Sequence, residues 1–308
     1  MPEKKKTNTR SLFIIIFSML QLMVSVPSGW AQHHQVQDLL GRDVSLPVNP
    51  RRVVALAPNI TEIVYALGQA QRLVGATTYS DFPQAAAALP KVGSYVHLDL
   101  ERIVALNPDL CIAIKDGNPI TAVSRLESFG IPIYAVDPRN LNSVMDTITR
   151  IGNLLQAKNQ AKLLVSSMQS RIQAVRKRVD RADHRPKVFF QIGIAPMVSI
   201  GTNTFIHELI ELAGAHNLAA GSIAYPRFSM EQVLGMLPDI IIVTSMAREA
   251  TFERIRKDWY QWQDIPAVKH ERVFIQESNL FDRPSPRLVD ALEILATLVH
   301  PELFEDSP

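Results

Sequence analysis

One stretch of this chain is written twice. Leu100-Glu101-Arg102-Ile103-Val104-Ala105-Leu106-Asn107-Pro108-Asp109-Leu110-Cys111-Ile112 recurs as Met230-Glu231-Gln232-Val233-Leu234-Gly235-Met236-Leu237-Pro238-Asp239-Ile240-Ile241-Ile242, with the glutamate, the Pro-Asp pair and the apolar positions at identical offsets. Upstream, Glu62, Gly68, Gly75 and Tyr79 are echoed by Glu208, Gly214, Gly221 and Tyr225 at one constant spacing. Two echoes in the same order restrict the fold to two halves on one plan. Each unit consists of a capping residue (Asp99, Ser229), a short amphipathic helix, a Pro-Asp stop and a continuous apolar run. Proline ends the helix because it lacks an amide hydrogen and disfavours helical geometry in the residue before it.

The apolar runs do not alternate with polar residues, so they suit strands buried on both faces of a parallel sheet. They are Val53–Leu56, Leu73–Ala76, Leu110–Ile114, Ile133–Val136, Val188–Gln191, Ile240–Val243 and Val273–Ile275. Helical patterns lie between them. Asn59-Ile60-Thr61-Glu62 has capping-box spacing, and Gly68 ends that helix where left-handed geometry is needed. Alternating strand and helix in both halves imply an α/β fold with a parallel sheet in each. Residues 158–183 differ, forming one polar-rich helical pattern in which Leu163, Leu164, Met168, Ile172, Val175 and Val179 recur at helical spacing. Such a helix, about 36 Å long, is the one candidate linker, and an ordinary surface helix within a single domain is the alternative.

At the amino end, Lys4, Lys5, Lys6 and Arg10 precede an apolar run from Leu12 to Val26, too short and interrupted for a comfortable membrane span. Gly29-Trp30-Ala31 supplies the small residues of a signal-peptidase site, so residues 1–31 are expected to be an export signal cleaved near Ala31. An uncleaved anchor is the alternative. No cysteine lies near that site to carry a lipid, and Cys111 has no disulfide partner. About 275 residues remain, more than one core usually serves. With 32 basic and 30 acidic residues there is no surplus charge for a phosphate backbone, so no nucleic-acid partner is expected.

Several segments resemble a known family, the helical-backbone periplasmic receptors for metal-containing ligands. They are Arg52–Glu62, Tyr79-Ser80-Asp81-Phe82-Pro83, Leu100–Leu106, Pro108-Asp109-Leu110, Phe228–Leu234 and Phe281-Asp282-Arg283-Pro284-Ser285-Pro286-Arg287, in order along nearly the whole chain after the signal. The resemblance implies two lobes, 32–157 and 184–308, each with a central parallel sheet, joined by one long backbone helix, 158–183. It implies a small-molecule ligand in the cleft between them, delivery to the transmembrane subunits of an ABC importer, a periplasmic location, membrane contact only through the permease, and a monomer. It also implies that Glu101 and Glu231 dock into arginine pockets of that permease. The duplication independently puts these two acids at equivalent places, although a first-turn acid is also favoured by the helix dipole alone.

Open parallel sheets bind ligands beyond the carboxyl ends of their strands, which points to the loops holding Pro58, Asn59, Tyr79–Pro83, Ser94–His97, Ile194–Gly201, Tyr225–Phe228 and Asn279–Arg283. By the same resemblance Tyr79, Tyr95, Tyr225 and Phe281 would be walls, and Asn279 and Arg283 polar contacts. A broad ring ligand buries apolar area against aromatics while its arms reach polar groups. The implied cargo is cobalamin or a related corrinoid, with no cofactor resident in the protein. The cobalamin-binding members of the family carry tryptophan where this chain has Tyr95, Tyr225 and Leu280, and aspartate where it has Asn279. These departures leave haem or a ferric siderophore open.

The histidines are scattered without ligand spacing, so no bare-metal site is expected, although His97 lies in a cleft loop near where a bound cobalt or iron could sit. No Gly-rich phosphate loop, nucleophile elbow or metalloprotease helix occurs, so no enzyme is expected. An α/β enzyme acting on a tetrapyrrole through Asp81 or Asp282, and an exported carrier without an importer, are the competing classes.

Overall fold

The computed structural model describes residues 33–245 and 249–304. The expected export signal, residues 1–31, lies outside the described residues.

A hairpin of β1 (His33–Gln37) and β2 (Asp43–Pro47) leads into the first half. There β3 (Val53–Ala55), α1 (Pro58–Ala66), β4 (Leu73–Ala76), α2 (Leu100–Ala105), β5 (Leu110–Ile114), α3 (Ile120–Ser128), β6 (Ile133–Val136) and α4 (Leu141–Leu154) follow in turn. The strands form one parallel sheet in the order β4-β3-β5-β6. Every residue of β5 and β6 is buried, which accounts for their unbroken apolar composition. The helix α5 (Lys158–Val179) then crosses to the second half.

The second half contains β7 (Lys187–Gly193), β8 (Met197–Ser199), α6 (Phe205–Leu212), β9 (His216–Asn217), β10 (Arg227–Phe228), α7 (Met230–Met236), β11 (Ile240–Ser245), α8 (Glu249–Tyr260), α9 (Pro266–Lys269), β12 (Val273–Glu277), α10 (Ser278–Phe281) and α11 (Leu288–Val299). All seven apolar runs are strands. The second sheet has the order β10-β8-β7-β11-β12, with β9 beside β7. It is mixed rather than wholly parallel, because β8 pairs antiparallel with β7. The link between them, residues 194–196, is far too short for the crossover a parallel partner needs.

The duplication is visible in three dimensions. Asp99 and Ser229 cap α2 and α7 by accepting the amides of Arg102 and Gln232. Each Pro-Asp stop follows a left-handed residue, Asn107 at φ 44° and Leu237 at φ 49°. Its aspartate then secures the entrance of the neighbouring central strand: Asp109 accepts the amides of Arg51 and Arg52, and Asp239 that of Lys187. Gly68 and Gly214 close α1 and α6 with φ of 67° and 80°, a conformation that costs glycine little.

One expected cap is absent. Asn59 lies inside α1, whose first residue is Pro58, and the cap position is Ala57 without a side-chain bond. Proline at the first helical position needs no donor satisfied, so the helix starts one residue early. The Asn59 and Glu62 side chains are thereby free to reach the second half.

The largest apolar cluster belongs to neither half alone. It runs from Leu46, Val53 and Leu110 through Ala161, Met168, Val175 and Val179 of α5 to Phe190, Ile240, Leu292 and Val299. Ala161, Met168 and Val175 follow one another seven residues apart, a seam that packs against α4 on one side and α6 and α11 on the other. At the tightest point a Cβ placed on Gly152 of α4 would lie 2.5 Å from the Ala161 Cβ. Leu163 falls off this seam and is 72% exposed. Smaller clusters lie under β5 and β6 and around Phe189 and Trp259, whose indole donates to the buried Gln191 Oε1 at 3.0 Å.

Candidate functional site

A cavity of about 410 Å³ opens between the two halves. It is walled by the segments that leave the carboxyl ends of β3, β4, β5, β6 and β12, as expected of open parallel sheets. Of the predicted residues, Pro58, Asn59, Tyr79, Tyr95, Tyr225, Asn279 and Arg283 line it. Tyr79 and Tyr225, the last pair of the second echo, are 46% and 45% exposed to solvent.

Phe281 does not line it. Its side chain is fully buried and packs against Phe190 with ring centroids 5.8 Å apart. The reason is helical geometry: α10 is a single turn, so Asn279, Asp282 and Arg283, spaced by three and four, share the cavity face, and Phe281 points the opposite way. Asp116 and Phe205 also line the cavity, beside Asp282. Asp116 follows β5 and falls under the same strand-end rule as the predicted loops. Asp282 lies within the predicted Asn279–Arg283 loop.

Arg283 lines the cavity but its charge is already engaged. Nη1 donates to Glu62 Oε1 at 3.0 Å and Asp81 Oδ1 at 2.8 Å, and Nη2 to the Tyr79 carbonyl at 2.9 Å and Asn279 Oδ1 at 2.5 Å. Glu62, fixed on α1 of the first half, also accepts from Ser285 Oγ at 2.6 Å and from Arg287 Nε and Nη2 at 3.0 and 3.1 Å. The Arg287 guanidinium in turn stacks 3.8 Å above the Phe82 ring. Arg283 is therefore a clasp between the halves before it is a ligand contact. The equivalent glutamate of the second half, Glu208, reaches the other way and accepts the Leu141 amide at 2.6 Å, at the start of α4. The second echo thus encodes a reciprocal pair of carboxylates, each seated in the opposite half.

At the mouth, the Tyr225 hydroxyl donates to Asp116 Oδ2 at 3.5 Å, and Arg139 lies 3.5 Å from the same oxygen. Burial, with Asp116 adding to it, pushes the Tyr225 phenol up from its ordinary value. Asp282 opens onto the cavity yet has protein on most other sides. That dehydration pushes its carboxyl up to about 7, opposed by the Thr244 hydroxyl bond and the nearby Arg283 charge. His97 is exposed in the loop beside Tyr95 and Val96.

Glu101 and Glu231 are both exposed in the first turns of α2 and α7. Each of these helices leads directly into a strand that pairs parallel with its neighbour, β5 or β11. The Ser229 hydroxyl and the helix-start amide hold the Glu231 carboxyl below its usual range. Among the described residues no group of three metal-ligating side chains converges, and no helix is long and apolar enough to cross a membrane.

Two sheet-centred halves, a crossing helix and a cleft on the strand ends define the class of extracytoplasmic solute receptors. The chain belongs to the periplasmic binding protein family, which matches residues 53–280. Its relatives include an uncharacterized ABC transporter substrate-binding lipoprotein, YvrC, of Bacillus subtilis, 30% identical over 88% of this chain and 87% of that protein. The vitamin B12-binding protein of Vibrio cholerae is 30% identical over 82% of this chain and 90% of that protein. Among solved structures, periplasmic vitamin B12 binding protein BtuF of Vibrio cholerae superposes with a TM-score of 0.72 at 27% identity, covering 84% of this chain and 99% of that one. A periplasmic heme binding protein from Pseudomonas aeruginosa gives 0.75 at 26%, covering 82% and 93%.

Proposed function

We infer that this protein is the substrate-binding component of an ABC importer that holds cobalamin or a related corrinoid in the interlobe cleft and hands it to the permease. One observation supports this most: the cavity between the halves is walled by Tyr79, Tyr95 and Tyr225 and edged by amide side chains, Asn59 and Asn279. Flat apolar walls with a few fixed polar groups suit a broad ring bearing polar arms. A corrinoid is larger than the cavity, so its bulk would project through the mouth as the Tyr225–Asp116 contact parts. Export by residues 1–31 would deliver the protein to the periplasm, with 32–157 and 184–308 as the lobes and 158–183 as the strut.

Glu101 and Glu231 are the docking carboxylates in this scheme, one per lobe, exposed and free of ion pairs among the described residues. Rim charges of this kind chiefly set encounter rate and orientation. Replacing both with glutamine should abolish corrinoid uptake by cells while equilibrium affinity stays unchanged. A loss of affinity would put them in the cleft instead. Haem is the second candidate, favoured by three tyrosine hydroxyls in one cleft, since phenol oxygens suit ferric iron. Titration with cyanocobalamin, haem and a ferric siderophore, followed by intrinsic fluorescence and ligand absorbance, tests the assignment. Binding of haem and not of corrinoids overturns it, and chemical change in the recovered ligand would restore the enzyme alternative.

A further inference from the structure

Three charged side chains line the cavity: Asp116, Asp282 and Arg283. Their states differ. Arg283 gives its two terminal nitrogens to four protein acceptors, two of them carboxylates. Asp116 faces Arg139, which is shared with Asp137 at 2.6 Å. Asp282 alone has no cationic partner within ion-pair distance among the described residues. Its one side-chain bond there is from the Thr244 hydroxyl to Oδ1 at 3.2 Å, from the central strand β11 beneath it. The cavity therefore presents one carboxyl without an ion-pair partner among the described residues, and both terminal nitrogens of the neighbouring guanidinium are already engaged by the protein.

We propose that Asp282 is a specificity-determining residue that admits ligands whose peripheral arms are amides and rejects those whose arms are carboxylates. An amide N–H can donate to the carboxylate of Asp282. A carboxylate arm in the same place meets like charge at a carboxyl that opens onto the cleft, where solvent screens the repulsion only in part. The pressure already on this group, which holds its proton up to about pH 7, has the same physical origin as the penalty on a second anion.

The inference rests on the corrinoid assignment above, and its test separates the two. The probes are dicyanocobyrinic acid and its heptaamide, which share one macrocycle and differ only in having carboxylate or amide arms, with cyanocobalamin as reference. At pH 8 the wild-type protein is expected to bind the heptaamide about tenfold or more tighter than the acid, the effect of one close like-charge contact at a partly solvated site. Asp282→Asn, which keeps an acceptor for Thr244, should close that gap by tightening the acid. Asp282→Ala should also tighten the acid and in addition weaken the heptaamide, a pairing that a folding defect would not produce. Equal affinity of the wild-type protein for both probes, or a gap unchanged in Asp282→Asn, overturns the inference while leaving the corrinoid assignment intact. Failure to bind all three corrinoids overturns both.

Discussion

Replacing Glu62 with glutamine should cut deeply into the stability of this protein. The carboxylate is 4% exposed and receives four charge-assisted hydrogen bonds or ion contacts, from Arg283, Ser285 and twice from Arg287. Removing one member of a buried ion network typically costs about 3–5 kcal/mol, because the remaining charge stays buried without its partner. Two features reduce that figure here. Asp81 still neutralises Arg283, and Arg287 keeps its stacking on Phe82 with its side chain 17% exposed. An Nε2 amide would, however, point a donor at donors, so the expected loss is about 3 kcal/mol, the low end of that range. Urea unfolding of the protein without its export segment, followed by fluorescence and circular dichroism, measures it. Glu208→Gln is the internal control: its acceptor role for the Leu141 amide, the one its carboxylate has among the described residues, can be kept by the glutamine oxygen, so a loss under about 1 kcal/mol is expected. A double-mutant cycle of Glu62→Gln with Arg287→Gln should show coupling above about 1 kcal/mol. If Glu62→Gln falls within 1 kcal/mol of the wild type, or matches Glu208→Gln, the clasp does not hold the halves together as argued.

Three further outcomes are expected. Gly152→Ala should destabilise by about 1–3 kcal/mol, since its Cβ would sit 2.5 Å from the Ala161 Cβ at a helix crossing with no free space, and thermal unfolding would register it. Leu237→Asn should stabilise by about 0.5–1 kcal/mol, because Leu237 has φ 49° and is 48% exposed, so little packing offsets the left-handed backbone. For Asp282 the folded carboxyl, at about 7, holds its proton at pH values where the unfolded chain has released it. Its contribution therefore falls as pH rises from about 4 to 7, and Asp282→Asn should gain melting temperature relative to wild type at pH 8 and not at pH 4.

Much of this architecture is legible in the sequence because its signals are local. Buried strands declare themselves as unbroken apolar runs, and the caps Asp99 and Ser229 act within one helical turn. Tyr79 and Tyr95 follow the carboxyl end of β4, where a topological rule finds them, whereas Tyr225 stands just before β10 and is marked in the sequence by its echo of Tyr79. What is not legible depends on partners distant in the chain. Asn59 has cap chemistry, but the Pro58 start frees it to donate to the Pro284 carbonyl in the other half. Arg283 has the character of a ligand contact until Glu62, more than two hundred residues away, claims it. Phe281 carries the aromatic likeness, yet the phase of a one-turn helix turns it inward. Antiparallel β8 follows from the length of a loop rather than from its composition.

The apolar core that passes unbroken through α5 has one more consequence. Bodies that share a single interior expose part of it when they swing apart, so wide opening of the cleft is expected to cost more than movement at its lip. A partner that gauged how far the jaws had shut would then find almost the same shape empty or full. One that felt the lip itself, with cargo protruding as part of the contact, would find two different surfaces. Recognition of the loaded state is accordingly expected to work by touch rather than by measuring motion.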